Sequence, residues 1–184
     1  MPTLYLDFET YSATPINNGT YKYAENAEVL LMAYALDERE VQVADFTDPI
    51  QRATFTDMLR DTVARDDVEV VIHNSMFDRN IAKYALGVEI PPEKIHDTMI
   101  IAAMHGLPMG LGTLCEVFRL PVDASKSKEG RKLINMFCKP RPKNMKERRA
   151  LPENYPEDWQ AFKEYARLDV VSMRELWKLL PIGS

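Results

Sequence analysis

The stretch Leu4-Tyr5-Leu6-Asp7-Phe8-Glu9-Thr10 alternates with period two: Leu4, Leu6 and Phe8 fall on one side, Tyr5, Asp7 and Glu9 on the other. That is the pattern of a strand, and it constrains everything built around it. If the strand is central, two carboxylates share one face of it inside the fold. Burying both charges uncompensated costs on the order of several kcal/mol, so something positive must lie between them. A hard divalent cation such as Mg²⁺ suits that place because it prefers carboxylate oxygen. The competing reading is an edge strand with a solvated Asp and Glu, in a chain that carries 28 acidic residues.

The 184 residues are long enough for one domain with a full core, placed at 1–182. Gly183-Ser184 reads as an expression remnant or a cut end. No apolar run approaches the roughly 18 residues of a membrane span, and the N-terminus has no basic segment followed by an apolar block. Cys115 and Cys138 are the only cysteines. Without a Cys-x-x-Cys they predict no zinc site and a reducing, cytoplasmic compartment.

Period and punctuation predict the remaining elements. Strands are expected at 3–9, 29–36 and 41–46, joined by short loops into an antiparallel meander. A helix over 49–64 starts at a proline, followed by a buried strand at 68–72 and a helix from about Phe77 to Leu86, stopped by Gly87. After Pro91-Pro92 come a short strand at 94–97 and helices at 98–105, 111–118 and 129–138. A Pro-rich basic loop or mobile arm covers 139–156, and a last helix 157–179. This order implies an α/β fold, a mixed five-stranded sheet flanked by helices. The ten methionines read as core filler. His73, His96 and His105 share no ligand spacing and read as structural.

Charge is polarised. From Lys126 to Arg149 ten basic residues face only Glu129 and Glu147, a local +8 inside a chain of net −5. Such a strip can track a phosphate backbone by counterion release; the other reading is a solvated basic loop.

Two more acidic positions matter. Asp78, in His73-Asn74-Ser75-Met76-Phe77-Asp78, follows a buried strand and opens a helix, where α/β folds place their chemistry. A helix-dipole partner would account for it equally well. On the last helix, Tyr165 and Asp169 stand at i, i+4 and share a face; the plainer reading is a surface Asp beside a core Tyr.

In this order, Asp7-x-Glu9, Asn74-x-x-x-Asp78 and Tyr165-x-x-x-Asp169 resemble the three motifs of the DEDD superfamily of 3′→5′ exonucleases in its tyrosine branch. The histidine branch would require His where Glu164 stands. The runs 7–12, 19–25, 128–134 and 137–140 resemble the N-terminal exonuclease part of phage-type family A DNA polymerases, over nearly the whole chain. No polymerase region follows within these residues, so the resemblance implies either an excised proofreading domain or a free-standing relative.

The resemblance implies an RNase H-like (DnaQ-like) fold and two divalent ions, Mg²⁺ or Mn²⁺. Asp7 would be shared between them, Glu9 and Asp169 would complete one, and Asp78 would serve the other. Tyr165 would orient the nucleophile; with a reference pKa of about 10, a phenol is a poor base at neutral pH. The substrate would be the 3′ end of single-stranded DNA, with RNA as the alternative, and the partner a polymerase domain in cis or trans. Asn74 and Phe77, with the backbone near Phe8 and Thr10, would line the terminal-nucleotide slot, although Phe77 also fits a core position. Lys126, Lys128, Arg131 and Lys132 would grip upstream phosphates. Asp97, in an Asp-Thr pair recurring in the superfamily, would be a supporting acceptor. The competing functions are a free-standing DNA or RNA exonuclease, an inactive nucleic-acid-binding module, and an RNase H-fold nuclease or integrase cutting internally.

Overall fold

The computed structural model describes residues 1–120 and 126–181; the side chains of Lys126 and Ser127, and Gly183-Ser184, lie outside that description. Strand β1 (Thr3–Tyr11) runs through the middle of a five-stranded sheet of order β3-β2-β1-β4-β5. Its central place removes the edge-strand reading. β2 (Glu28–Leu36) pairs antiparallel with β1, and β3 (Gln42–Asp45) antiparallel with β2. The charged turn after β2 closes through Asp37, whose amide donates to the Thr3 carbonyl (2.8 Å) while its carboxylate accepts from the Thr3 amide (2.8 Å). β4 (Glu69–Ile72) and β5 (Ile95–Asp97) are parallel additions on the other side.

Helices cover both faces, because β1 sends alternate side chains to opposite sides. Leu4, Leu6 and Phe8 pack with Met32, Val70 and Ile72 under α1 (Thr20–Glu25), α2 (Pro49–Val63) and α3 (Ser75–Leu86), which contribute Tyr23, Leu59 and Ile81. Helix α2 begins where expected: Pro49 occupies its first position and the Asp48 carboxylate accepts from the Ile50 amide at 2.9 Å. Helix α3 ends on Gly87 in the left-handed region, φ 68°. On the opposite face Tyr5, Ala33 and Val71 meet Leu133 and Phe137 of α6 (Lys126–Phe137) and Phe162, Ala166 and Val170 of α7 (Pro156–Leu179). Short helices α4 (Thr98–Met104) and α5 (Leu111–Val117) close the end near α7 around Ala102, Leu114 and Leu176. The result is the RNase H-like arrangement, a mixed sheet between helices. Among the described residues no helix is long and apolar enough to cross a membrane.

Several details depart from expectation. The pairing of β1 with β2 shifts register between Glu9 and Thr10, leaving Leu30 unmatched. Leu30 and Leu31 therefore both turn toward the α7 side, a bulge opposite Glu9 and Thr10. Methionine is not mainly core filler: Met32, Met136 and Met173 are buried, but Met1, Met76, Met104, Met109 and Met145 are exposed. The basic loop after α6 is tied down rather than a free arm. The Arg141 amide donates to the Arg148 carbonyl (2.8 Å), and Ala150 is buried. Arg141 pairs with Glu147 at 3.1 Å, which the Tyr155 hydroxyl also contacts. Arg149 pairs with Glu28 at 2.7 Å and stacks 3.7 Å over the Tyr11 ring.

Candidate active site

The pleat of β1 turns Asp7 and Glu9 toward α7, which lies across β1 and β2. On α7 the residues Phe162, Ala166, Val170 and Met173 face inward, and Tyr165 and Asp169 stand beside that stripe, one turn apart. Carboxylates from two elements thereby converge: Asp7, Glu9 and Asp169 each offer an oxygen, all within 4.8 Å of one another, and each keeps some exposed surface. Asp78 comes from the other layer. It lies in the first turn of α3, is buried, and its Oδ1 accepts the Phe8 amide at 3.3 Å. That bond ties Asp78 to the residue between the two β1 carboxylates.

Crowding shows in the protonation behaviour. Burial pushes the Glu9 carboxyl well above the usual carboxylate range, and Asp7, Asp169 and Asp78 push it the same way, as does a hydrogen bond with Asp7. Asp78 is also raised well above that range by burial and then by Asp7, against the stabilising Phe8 amide. The Tyr165 phenol is driven far above its ordinary value by burial, then by Asp169, Glu9 and Asp7, and it shares a hydrogen bond with Asp169. It keeps its proton at neutral pH. Hard oxygen donors around a common point, held together against repulsion, fit divalent cations of the Mg²⁺ or Mn²⁺ kind.

The start of α3 is set by Asp97 at the end of β5. Its carboxylate accepts from the amides of Asn74 (3.1 Å) and Ser75 (2.7 Å), from the Ser75 hydroxyl (2.7 Å), and from Met99 (2.9 Å) at the start of α4. Asn74 adopts a left-handed conformation, φ 65° and ψ 64°, which asparagine tolerates better than most residues. Asp97 is thus an acceptor that sets where Asp78 enters. His73 is structural, bonded to the Thr98 hydroxyl (2.8 Å) and the Met109 carbonyl (2.7 Å), with burial lowering its pKa.

The residues expected to line a nucleotide slot divide. Asn74 is exposed and Phe77 half-buried. Phe77 packs on Tyr23, ring centroids 5.5 Å apart. Phe8 and Thr10 entered that expectation through their backbone. Their side chains point into the α1–α3 layer and are buried, the Phe8 amide is taken by Asp78, and the Thr10 hydroxyl is bonded to the Tyr23 hydroxyl at 2.8 Å. The two-residue step from Leu4 through Leu6 to Phe8 places the Phe8 side chain on the core side. Tyr23 had no signal of its own, since its partners lie 13 and more residues away. Lys128, Arg131 and Lys132 are exposed on the outer face of α6; the Lys126 side chain is outside the described residues. Arg141 and Arg149 are engaged internally, so the basic strip available to a ligand is narrower than the sequence suggested.

A family model described as 3′–5′ exonuclease matches residues 2–181. A DNA polymerase of Bacillus phage SP02 is 32% identical over 176 residues, which span 92% of this chain and 26% of that protein; the chain thus corresponds to about a quarter of its length. Among solved structures, Trypanosoma brucei RNase D in complex with RNA U12 aligns with TM-score 0.63 at 18% identity, over 99% of this chain and 56% of that one. Brucella melitensis NrnC aligns with TM-score 0.59 at 14% identity, over 96% and 71%. A form of NrnC with bound Mg²⁺ gives TM-score 0.56 at 13% identity, over 96% and 70%. At these identities the structural likeness speaks for the fold.

Proposed function

This chain belongs to the 3′–5′ exonuclease family, and on that premise we propose that it removes mononucleotides from the 3′ end of single-stranded DNA by metal-dependent hydrolysis. The observation that carries the reading is the convergence of Asp7, Glu9 and Asp169 within 4.8 Å, with Asp78 tied to the Phe8 amide beside them. In this reading Asp7, Glu9 and Asp169 would hold one divalent ion, and Asp7 with Asp78 would hold a second. When bound, such ions neutralise the phosphodiester, activate water and stabilise the departing 3′ oxygen.

The chain's own residues do the rest. The carboxylates remain acceptors, drawn together by β1 and α7. Tyr165, which keeps its proton, orients the attacking water through its hydroxyl rather than abstracting a proton. Asn74, exposed at the start of α3, and Phe77 behind it border the terminal nucleotide. Lys128, Arg131 and Lys132 hold phosphates upstream, and a strand end suits the site better than a duplex because single strands are gripped by backbone charge and stacking. The phage polymerase relative supports a proofreading role beside a polymerase domain, in cis or in trans.

The test is a 5′-labelled oligonucleotide incubated with Mg²⁺, Mn²⁺ or EDTA. The expected result is a ladder shortening from the 3′ end with either ion and none with EDTA. Asp7→Ala, Glu9→Ala or Asp169→Ala each lowers the rate by orders of magnitude. Digestion by Asp7→Ala at wild-type speed, or cutting of circular single strands, overturns the proposal. Matched DNA and RNA oligomers in the same assay decide the sugar preference.

A further inference from the structure

Glycine is the poorest residue for a helix interior after proline, yet Gly130 lies inside α6 and is buried. It begins the inward face of that helix, one turn before Leu133 and two before Phe137, both buried. A methyl group built on Gly130 would fall against the Tyr165 ring, 2.6 Å from Cδ2 and from Cζ and nearer still to Cε2. Carbon atoms in ordinary contact stand about 3.5–4.0 Å apart, so the ring would have to move by roughly 1 Å or more. Its freedom is limited. The Tyr165 ring stacks with Phe162 (6.3 Å, 12°), and Phe162 stacks with Phe137 of α6 (5.5 Å, 19°). Helix α6 thus reaches Tyr165 twice, directly at Gly130 and through this pair of rings.

We propose that Gly130 is a positioning residue: the missing side chain is the seat of the Tyr165 ring and fixes where the phenol stands relative to Asp169, Glu9 and Asp7. This rests on the exonuclease reading above. The same helix presents Lys128, Arg131 and Lys132 outward, so the element that holds the strand also sets the hydroxyl that orients the water.

The experiment is Gly130→Ala in the wild-type and Tyr165→Phe backgrounds. Helix propensity alone predicts a more stable protein; the seat predicts a lower Tm. It also predicts kcat reduced roughly 10–100-fold, the scale of a 1 Å misplacement, with KM, oligonucleotide affinity in EDTA and the Tm gain on adding Mg²⁺ each changed less than about twofold. Tyr165→Phe keeps the ring but not the hydroxyl. There Gly130→Ala must still lower Tm while costing less than about twofold further in rate. Should Gly130→Ala fail to fold, Tyr165→Ala removes the ring, and adding Gly130→Ala to it must leave Tm equal or higher. Wild-type kcat in Gly130→Ala, an undiminished rate loss in the Tyr165→Phe background, or a lower Tm in the Tyr165→Ala background overturns the inference. A fully active Asp7→Ala would instead overturn the exonuclease reading, and the Tm comparisons would still judge the seat.

Discussion

Replacing Glu9 by Gln should make the metal-free protein more stable, although it removes a charge from the centre of the fold. Two unit charges no more than 4.8 Å apart repel by at least about 3.5 kcal/mol at an effective dielectric of about 20. Glu9 meets two such neighbours, Asp7 and Asp169. Residual exposure and the proton drawn onto Glu9 reduce the net effect, leaving a gain of about 1–3 kcal/mol at pH 7. For a chain of this size that is a rise in Tm of roughly 3–10 °C. The pH dependence follows from the direction of the shift. Glu9 and Asp78 are both raised, by burial first and then by like charges. Between the ordinary carboxylate range and their folded values, the folded state binds more protons than the unfolded one. These groups therefore favour the fold most at acid pH and lose that contribution as pH rises through their folded values. The assay is thermal unfolding in EDTA at pH 5 and pH 8, repeated with Mg²⁺. The advantage of Glu9→Gln should be larger at pH 8 than at pH 5, because Glu9 gives up its own charge as pH falls through its raised value. Mg²⁺ should raise the Tm of wild type more than that of Glu9→Gln, since ligand at a hundred times its Kd contributes about 2.7 kcal/mol. A Glu9→Gln protein less stable than wild type in EDTA at pH 8 would refute the electrostatic account.

Asp97→Ala leaves the Asn74, Ser75 and Met99 amides without their acceptor and should cost about 2–4 kcal/mol in urea unfolding; an unchanged midpoint would show that Asp97 does not anchor α3. Neutralising Lys128, Arg131 and Lys132 together should lower the salt slope of single-strand binding by about 2, at roughly 0.7 per phosphate contact, with kcat preserved at saturating substrate. An unchanged slope removes α6 from the strand path. Because the Tyr165 phenol is raised, the kcat profile of wild type should show no limb assignable to a phenol up to pH 10. A limb near the reference value of about 10 that vanishes in Tyr165→Phe would mean the phenol titrates as an ordinary one.

Much of this protein is legible along the chain, because backbone repeats set side-chain direction. Period two in residues 4–9 gave a strand with Asp7 and Glu9 on one face, and the four-residue step from Tyr165 to Asp169 put phenol and carboxylate together on a helix. The same alternation placed Leu4, Leu6 and Phe8 on the core side, away from the acidic face. Only the tertiary structure decided that β1 is central, that α7 brings Asp169 to within 4.8 Å of Asp7 and Glu9, and that α3 brings Asp78 to the Phe8 amide. It also decided that Arg149 spends its charge on Glu28 and Tyr11, and that Gly130 admits the Tyr165 ring. Each of these is a meeting of residues far apart in sequence, settled by how layers pack rather than by any repeat in the chain, and such meetings leave no local periodicity to read.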